Sequence, residues 1–227
     1  MIEVHNNLLP TEGVVDAGIV RDWIEDWVVS RGAAPPRPEP WGYTVDVGLP
    51  DQVTRHVLTE TDRPLIRKLT ENVTAPGTWL KVFLPAEEVA PAVGPGWRFD
   101  DPCFLMSTAL SPAPVTVPDG YRLRTWARGG VVQACVFAAD GAFAARGRIA
   151  RPPGATAAVV DQVETAPAHR RKGLGGVVMR TLANAAAETG ATTGVLGATR
   201  AGRALYETLG WHTDAPLTGL VRESPPA

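Results

Sequence analysis

Apolar residues recur every three or four positions near the start of the chain, and this spacing predicts an amphipathic helix between Asp16 and Ser30. Asp16 can cap the first turn of this helix, and Gly32 follows its end. The residues of the apolar face are Ile19, Val20, Trp23, Ile24, Trp27 and Val28. The two tryptophans, one turn apart, are interpreted as core packing rather than as the wall of a ligand site.

Shorter apolar runs, separated by turns rich in glycine and proline, predict alternating strands and helices through the rest of the first half. A second helix is predicted from Thr61 or Asp62 to Asn72, with Pro64 in its first turn. A shorter helix is predicted over residues 86–93. The predicted strands cover residues 41–48, 53–59, 79–84 and 104–109.

The second half begins with successive antiparallel strands and ends with alternating helices and strands. Three strands joined by short turns are predicted at 121–126, 131–138 and 142–149, and a fourth at 155–163. A basic turn that contains glycines leads into a long helix that ends at Glu188, with Gly190 beyond it. The remaining predicted elements are a strand at 192–198, a helix at 201–209 and a strand near 217–221. Together these elements predict an α/β protein with a mixed sheet.

The two halves share an order of elements. Gly96-Trp97 and Gly210-Trp211 each follow a strand, a turn and a short helix, and the two pairs lie 114 positions apart. We interpret this as an internal duplication, with a degenerate first lobe over residues 1–112 and a second lobe over residues 113–227. Where the second lobe has basic residues and glycines, the first has an acidic loop at 60–63, so only the second is expected to bind an anion.

Composition narrows the class of protein. A chain of 227 residues with 44% hydrophobic residues can form a proper core, and its net charge of −2 gives no general attraction to nucleic acid. No apolar run is long enough for a membrane span and no leader precedes the first helix, so we expect a cytoplasmic protein without membrane partners. Cys103 and Cys135 lack metal-ligand spacing and are expected to be reduced core residues, and no metal site is predicted.

The turn that precedes the long helix has the chemistry of an anion site. Gly173 and Gly175 allow a close approach to the main chain, and the first N–H groups of the helix are available to an anion. Arg170, Arg171 and Lys172 add positive charge. A G-x-G-x-x-G dinucleotide site is the weaker alternative, because only its G-x-G part is present and no acidic residue ends the next strand. A P-loop is excluded, because no Lys-Ser or Lys-Thr pair follows the glycines.

Residues 170–175, with the sequence R-R-K-G-L-G, fit R-x-x-G-x-G and resemble motif A of the GNAT superfamily of acyl-CoA N-acyltransferases. Residues 205–211, L-Y-E-T-L-G-W, are similar to a later helix of that superfamily. The resemblance covers about residues 121–222 and implies the GNAT acyltransferase fold, with acetyl-CoA as co-substrate and a primary amine as acceptor. A small-molecule amine is the first expectation for the acceptor, and a protein N-terminus or lysine is the second.

The resemblance also implies which residues contact acetyl-CoA. Its pyrophosphate is expected on the basic turn, and its pantetheine beside the end of the fourth strand. In the superfamily a backbone N–H there polarises the thioester carbonyl, which points here to Val163, Glu164 or Thr165. The residues expected to bind acetyl-CoA are Val163, Glu164, Thr165, Arg170, Arg171, Lys172, Gly173, Leu174, Gly175, Gly176, Thr199 and Tyr206.

Two of these residues are expected to act in catalysis. Tyr206 matches the residue that gives a proton to the CoA sulfur in the superfamily. Glu164 is the candidate general base and Asp161 the alternative, and strand alternation predicts that they lie on opposite faces. A water chain or an amine that is already neutral can replace either carboxylate. Direct transfer is expected, because no cysteine lies in either motif to form an acyl-enzyme.

Two features depart from the superfamily pattern. Thr199 stands where an asparagine is usual and offers fewer hydrogen bonds to a cofactor. The usual pair of helices between the first two strands is missing, because only residues 127–130 separate those strands. We therefore expect the N-terminal half to wall the acceptor site, through the helix of Trp23 and Trp27 or through segment 32–40. Both departures also fit a rival hypothesis, a CoA-binding sensor without turnover, and the chain is expected to be a monomer or a homodimer.

Overall fold

The computed structural model describes residues 15–224, and its first helix lies where the apolar spacing predicts it. Helix α1 spans Ala17–Arg31. The carboxylate of Asp16 accepts a hydrogen bond of 2.7 Å from the N–H of Gly18, and Gly32 ends the helix in the left-handed conformation. Trp23 and Trp27 are each 3% exposed, which confirms that they belong to the core.

The rest of the first half follows the predicted order of elements. These are β1 (Arg37–Glu39), β2 (Gly42–Leu49), β3 (Gln52–Leu58), α2 (Arg63–Asn72), β4 (Thr78–Val82), α3 (Ala86–Val89), β5 (Trp97–Phe99) and β6 (Cys103–Ala109). Two three-residue strands, β1 and β5, are absent from the prediction, because each is too short to show a period. The helix predicted over 86–93 is shorter, since a 3₁₀ turn at Ala90–Ala92 follows α3 and its Pro91 has no N–H to donate.

The second half also follows the predicted order, but three of its strands are displaced by one or two residues towards the C-terminus and its last strand begins five residues earlier than predicted. Its elements are β7 (Tyr121–Arg128), β8 (Val131–Ala138), β9 (Phe143–Ala150), β10 (Ala157–Thr165), α4 (Leu174–Glu188), β11 (Thr193–Thr199), α5 (Arg200–Glu207) and β12 (His212–Arg222). Among the helices of residues 15–224, none is both long and apolar enough to cross a membrane.

The strands form one mixed sheet, as predicted. Its order is β1-β2-β3-β4-β12-β6-β11-β10-β9-β8-β7, with β5 beside this path on β12. The pairs β3–β4 and β10–β11 are parallel, because a helix connects the strands of each pair. The other neighbouring strands on this path are antiparallel.

The centre of the sheet is built from the last strand of each half. Strand β6 precedes the predicted boundary at residue 112, yet it lies between β11 and β12 of the second half. Strand β12 in turn pairs with β4 of the first half. The division into residues 1–112 and 113–227 stays a prediction, and hydrogen bonds join the two ranges across the sheet.

Helices cover both faces of this sheet. On one face, α4 packs on β8, β9 and β10, and α2 buries Ile66 against Leu58 and Leu80. On the other face the sheet curves around α1. The ring of Trp23 lies 6.1 Å from that of Phe83, which directly follows β4, and the guanidinium of Arg55 on β3 lies 3.9 Å from the ring centroid of Trp27. Helix α1 is therefore enclosed by strands of both halves.

The two cysteines are free thiols. Cys135 is buried and Cys103 half-buried, and burial raises the pKa of both thiols above the ordinary value. Raised pKa values keep both thiols protonated at neutral pH. Cys135 lies in the core, as predicted, whereas Cys103 lies at its edge.

Candidate active site

The parallel strands β10 and β11 separate part of the way along their length. Their pairing runs only from Ala157 and Thr193 to Val159 and Val195. Beyond that point the two strands line opposite sides of a cleft of about 860 Å³. The corresponding pair in the first half, β3 and β4, stays joined through to Leu58 and Val82. The second parallel pair opens into a cleft and the first does not.

The wall of this cleft brings together nearly all of the residues predicted to bind acetyl-CoA. Its lining includes Val163, Glu164, Thr165, Arg170, Arg171, Gly173, Leu174, Gly175, Gly176, Thr199 and Tyr206. Lys172 is not part of the lining, and its Nζ lies 5.9 Å from the ring centroid of Tyr121 instead. The sequence did not indicate Leu196, Gly197 and Gly202, which also line the cleft.

The basic turn presents main-chain N–H groups at one end of the cleft. Gly173 precedes α4 with a φ of 78°, and no side chain caps the helix there. The first N–H groups of α4 therefore have no side-chain acceptor. At Gly175 a Cβ atom would lie 2.7 Å from Cδ2 of Leu205, so a side chain there would collide with α5. An uncapped helix start beside Arg170 and Arg171 suits a pyrophosphate.

Two contacts hold the basic turn in place. Nδ1 of His169 lies 3.0 Å from the hydroxyl of Tyr121 on β7, and their rings meet edge to face. Nε of Arg170 donates a hydrogen bond of 3.3 Å to the carbonyl of Thr165, at the end of β10. The turn is thus attached to two strands, and the ring of His169 serves this attachment.

A β-bulge in β10 changes the alternation of its side chains. On β9, Arg148 lies opposite Asp161 and Arg146 lies opposite Glu164. Arg146 and Arg148 are two residues apart and share a face, so Asp161 and Glu164 also share a face. The prediction that these two carboxylates lie on opposite faces is therefore wrong. The cause is the extra residue between them, where Gln162 has a φ of 52° and the regular ladder is interrupted beside the cleft.

Asp161 is held by the end of α1. Its carboxylate accepts hydrogen bonds from Nε (2.5 Å) and Nη2 (2.8 Å) of Arg31, and a third from Oγ of Ser30 (2.8 Å). It also accepts the N–H of Gln162 at 2.9 Å. To act as a base, Asp161 would have to give up these partners. The sequence did not indicate Ser30 or Arg31, because contacts across about 130 residues leave no local pattern.

Arg148 ties the same helix to the bulge. Its Nη1 donates a hydrogen bond of 2.6 Å to the carbonyl of Ser30, and its Nη2 donates to Oε1 of Gln162. Burial lowers the pKa of Arg148 from its ordinary value, but the group stays charged at neutral pH. The conformation of the bulge is therefore fixed from α1 and β9 together.

Glu164 has a more open environment than Asp161. Its side chain is 50% exposed, and within residues 15–224 its one ion pair is with Nη2 of Arg146 at 3.2 Å. Because Glu164 lines the cleft and is also exposed to solvent, it can receive a proton and pass it on to water. Of the two candidate bases, the geometry favours Glu164.

Tyr206 lies on α5, with its ring 6.1 Å from that of Trp211. It lines the cleft but is only 7% exposed. Burial, and next the negative charge of Asp161, raise the pKa of Tyr206 to about 12. The phenol is therefore protonated at neutral pH, and within residues 15–224 its hydroxyl has no hydrogen-bond partner. It is available as a donor to a group in the cleft.

Thr199, at the end of β11, uses its side chain within the protein. Its hydroxyl oxygen accepts a hydrogen bond of 3.2 Å from the N–H of Gly202 and so caps α5. The hydroxyl proton remains available to a ligand, which is less than an asparagine amide would offer.

This chain is similar to known proteins in its fold and in part of its sequence. Residues 102–211 match the model of a family described as "Acetyltransferase (GNAT) family". Among solved structures, a GCN5-related N-acetyltransferase from Kribbella flavida is 16% identical, with a TM-score of 0.62 and coverage of 95% of this chain and 98% of that one. A tandem GNAT protein from the clavulanic acid biosynthesis pathway is also 16% identical, with a TM-score of 0.52 and coverage of 73% and 68%. No curated protein matches the chain.

These matches confirm the predicted GNAT fold, with its mixed sheet and helices on both faces. Residues 102–211 match the GNAT acetyltransferase family, whose reaction is acyl transfer from acetyl-CoA.

Proposed function

Because residues 102–211 belong to the GNAT acetyltransferase family, we propose that this protein moves an acetyl group from acetyl-CoA directly to a primary amine of a small molecule. The observation that carries the proposal is the cleft between β10 and β11. The basic turn lies at one end of this cleft, and the bulge, Glu164 and Tyr206 line it as well. One cavity thus contains a site for the phosphates and groups for the chemistry.

The basic turn binds the pyrophosphate of acetyl-CoA in this proposal. The N–H groups at the start of α4 and the side chains of Arg170 and Arg171 supply donors and charge. Gly173 and Gly175 keep the main chain accessible. Lys172 lies further away and contributes through its charge alone.

The chemistry takes place beside the bulge. Acetyl-CoA supplies an activated acyl group with a thiol as leaving group. A backbone N–H of Val163, Glu164 or Thr165, in or directly after the interruption of the ladder between Asp161 and Glu164, stabilises the charge that develops on the thioester oxygen. Glu164 accepts the proton that the amine loses as the new C–N bond forms. Tyr206 donates to the sulfur as the C–S bond breaks, and solvent restores its proton.

The N-terminal half forms part of the acceptor site. Ser30 and Arg31 of α1 contact Asp161, and a Cβ atom at Gly197 would lie 3.9 Å from Cζ2 of Trp23. Helix α1 therefore lies on the same face of the sheet as Glu164. The GNAT superfamily usually has a pair of helices there. This arrangement supports the expectation that α1 walls the acceptor site.

A second candidate acceptor is the α-amine or a lysine of a polypeptide. The exposure of Glu164 favours it, because a half-exposed base is accessible to a large substrate.

The test is release of free thiol from acetyl-CoA over a panel of amines, with mass analysis of the products. Transfer to small amines supports the proposal, and transfer only to polypeptides supports the second candidate. Tight acetyl-CoA binding with no transfer to any amine would instead identify a CoA-binding sensor, for which the capping role of Thr199 is the structural argument.

A further inference from the structure

Three rows of side chains cross the sheet beside the proposed active site. The register aligns Arg122 with Phe137 and Phe143, Arg124 with Cys135 and Arg146, and Trp126 with Gln133 and Arg148. The second row continues to Glu164 on β10, and the third to Asp161. Because directly paired residues share a face, all three rows lie on the face that carries the two carboxylates.

Much of this face is exposed to solvent. Trp126 and Phe143 are 52% and 37% exposed, and Arg122 and Arg124 are exposed as well. Helix α1 packs mainly on β9 and β10 and contacts the third row, at Arg148 and Asp161, whereas Arg146 and Glu164 of the second row remain half-exposed. The β7 end combines aromatic and basic side chains, which is the composition of an interaction surface rather than of an ordinary solvated face.

The surface is also strongly positive. Strands β7, β8 and β9 contain no acidic residue, although the whole chain has a net charge of −2. Arg146 is paired with Glu164, and Arg148 donates to Ser30 and Gln162. Arg122 and Arg124 form no salt bridge with any residue of the described range 15–224. These two cations are available to an anionic partner.

We propose that the exposed face of β7, β8 and β9 binds the acceptor, and that the acceptor is an extended amine that carries carboxylates remote from the amine. This inference rests on the proposed function, because it places the amine at Glu164. Carboxylates of the acceptor pair with Arg122 and Arg124, and its apolar part lies on Trp126 and Phe143.

The width of the sheet sets the size of the acceptor. Strand β7 is three strands away from β10, which is about 14 Å at the usual spacing between strands. A free amino acid, whose amine and carboxylate are attached to one carbon atom, cannot reach from Glu164 to Arg124. An acidic tetrapeptide can, because an extended chain gains about 3.4 Å per residue.

The experiment compares two amidated tetrapeptides of equal length, Gly-Gly-Asp-Asp and Gly-Gly-Asn-Asn, as acceptors for acetyl-CoA. Each has a single amine, and they differ in charge with almost no change in shape. For the wild-type protein we expect kcat/KM to be about tenfold higher for the acidic peptide, since two exposed ion pairs each contribute up to about fivefold. In the double variant Arg122→Gln, Arg124→Gln this ratio should fall towards one.

A matched control is Arg63→Gln, which removes the charge of an exposed arginine on α2, on the opposite face of the sheet. It should leave the ratio unchanged. Acetyl-CoA affinity and Tm of the double variant, measured in parallel, should match the wild type, because both replaced side chains are exposed.

Two kinds of result would overturn the inference. The inference fails if the wild-type protein shows a ratio near one, or if the double variant keeps the wild-type ratio. Either result leaves the proposed N-acetyl transfer intact. The same holds if neither peptide is acetylated but another amine is. If acetyl-CoA binds and no amine of any kind is acetylated, the proposed function fails, and the inference fails with it.

Discussion

The guanidinium of Arg31 and the carboxylate of Asp161, 130 residues apart in sequence, meet through two hydrogen bonds of 2.5 and 2.8 Å. This ion pair joins the end of α1 to the bulge that lines the cleft. Asp161 also contributes to the raised pKa of Tyr206, so a residue of the N-terminal half is electrostatically linked to the proposed proton donor.

Replacing Arg31 with glutamine should lower both stability and turnover. Asp161 is only 11% exposed, so the loss of its charged partner should reduce the free energy of unfolding by about 1–3 kcal/mol. Because the bulge would lose its support, kcat should fall more than acetyl-CoA affinity. Urea unfolding and steady-state kinetics measure the two effects. Arg21→Gln, which changes an exposed arginine of the same helix, is the control, and equal effects of both changes would contradict the positioning role of Arg31.

Replacing Gly173 with valine should weaken acetyl-CoA binding severely, because a branched side chain at a φ of 78° must distort the turn. Gly154→Val is a closely matched control. Its φ is 81°, and no atom lies within 4 Å of a Cβ placed at either glycine. Both variants should lose similar stability, about 1–2 kcal/mol. Calorimetric titration with acetyl-CoA should separate them, and equal affinities for the two variants would count against the basic turn as the pyrophosphate site.

Replacing Tyr206 with phenylalanine should reduce kcat by about a hundredfold and change KM for acetyl-CoA little, because it removes one proton donor and keeps the ring. Since the pKa of Tyr206 is raised to about 12, ionisation of this phenol should cause no loss of wild-type activity below about pH 10. A pH profile of kcat for both proteins tests this. Tyr43→Phe, on β2 of the first half, serves as the control for loss of a hydroxyl.

Stability should depend on pH through Asp26. This residue of α1 is 1% exposed, and burial, followed by the charges of Asp22 and Glu25, raises its pKa from 3.8 to about 8. The folded state therefore holds a proton that the unfolded state releases, so stability is highest below about pH 4 for this group and is lost as pH rises towards 8.

The variant Asp26→Asn should remove that loss. Relative to wild type, it should gain at least about 1 kcal/mol in free energy of unfolding between pH 5 and pH 8.5, since one pKa unit corresponds to 1.36 kcal/mol. Urea unfolding at both pH values gives the difference. Asp22→Asn, at a more exposed neighbour, should show a much smaller change. A parallel pH dependence for wild type and Asp26→Asn would refute the assignment.

The exchange of β6 and β12 between the halves predicts that residues 113–227 do not fold alone. Without β6, strands β11 and β12 lose the strand that lies between them and pairs with both. The fragment should show no cooperative thermal transition, and co-expression with residues 1–112 should restore one. A folded fragment that binds acetyl-CoA as the full chain does would show instead that the two predicted lobes are independent.

Local patterns predicted the helices well, because their signals are short in range. Asp16 and Gly32 bound α1, and Asp62 caps α2, within a few residues of the apolar spacing that they delimit. The glycines of the basic turn likewise marked one end of the cleft, since a positive φ at Gly173 is a local requirement. These features depend on neighbours in the sequence, which a single chain displays.

The features that the sequence did not reveal depend on distant partners. Gln162 takes a φ of 52° without being glycine, so nothing in its identity indicated a bulge, and the faces of Asp161 and Glu164 were predicted wrongly. The apolar pattern of β6 predicts a strand but not its position between β11 and β12. The contact of Arg31 with Asp161 follows only once α1 is enclosed by the curved sheet.

The central position of β6 also limits how this protein can change by inheritance. In the first half, the parallel strands β3 and β4 stay paired where β10 and β11 open, so that half has no equivalent cleft there. A deletion that removed the first half would nevertheless take away β6, the strand between β11 and β12. Selection on catalysis in the second half therefore preserves the first half as well. A descendant with a single lobe would have to evolve a strand that replaces β6 before it could lose the first half.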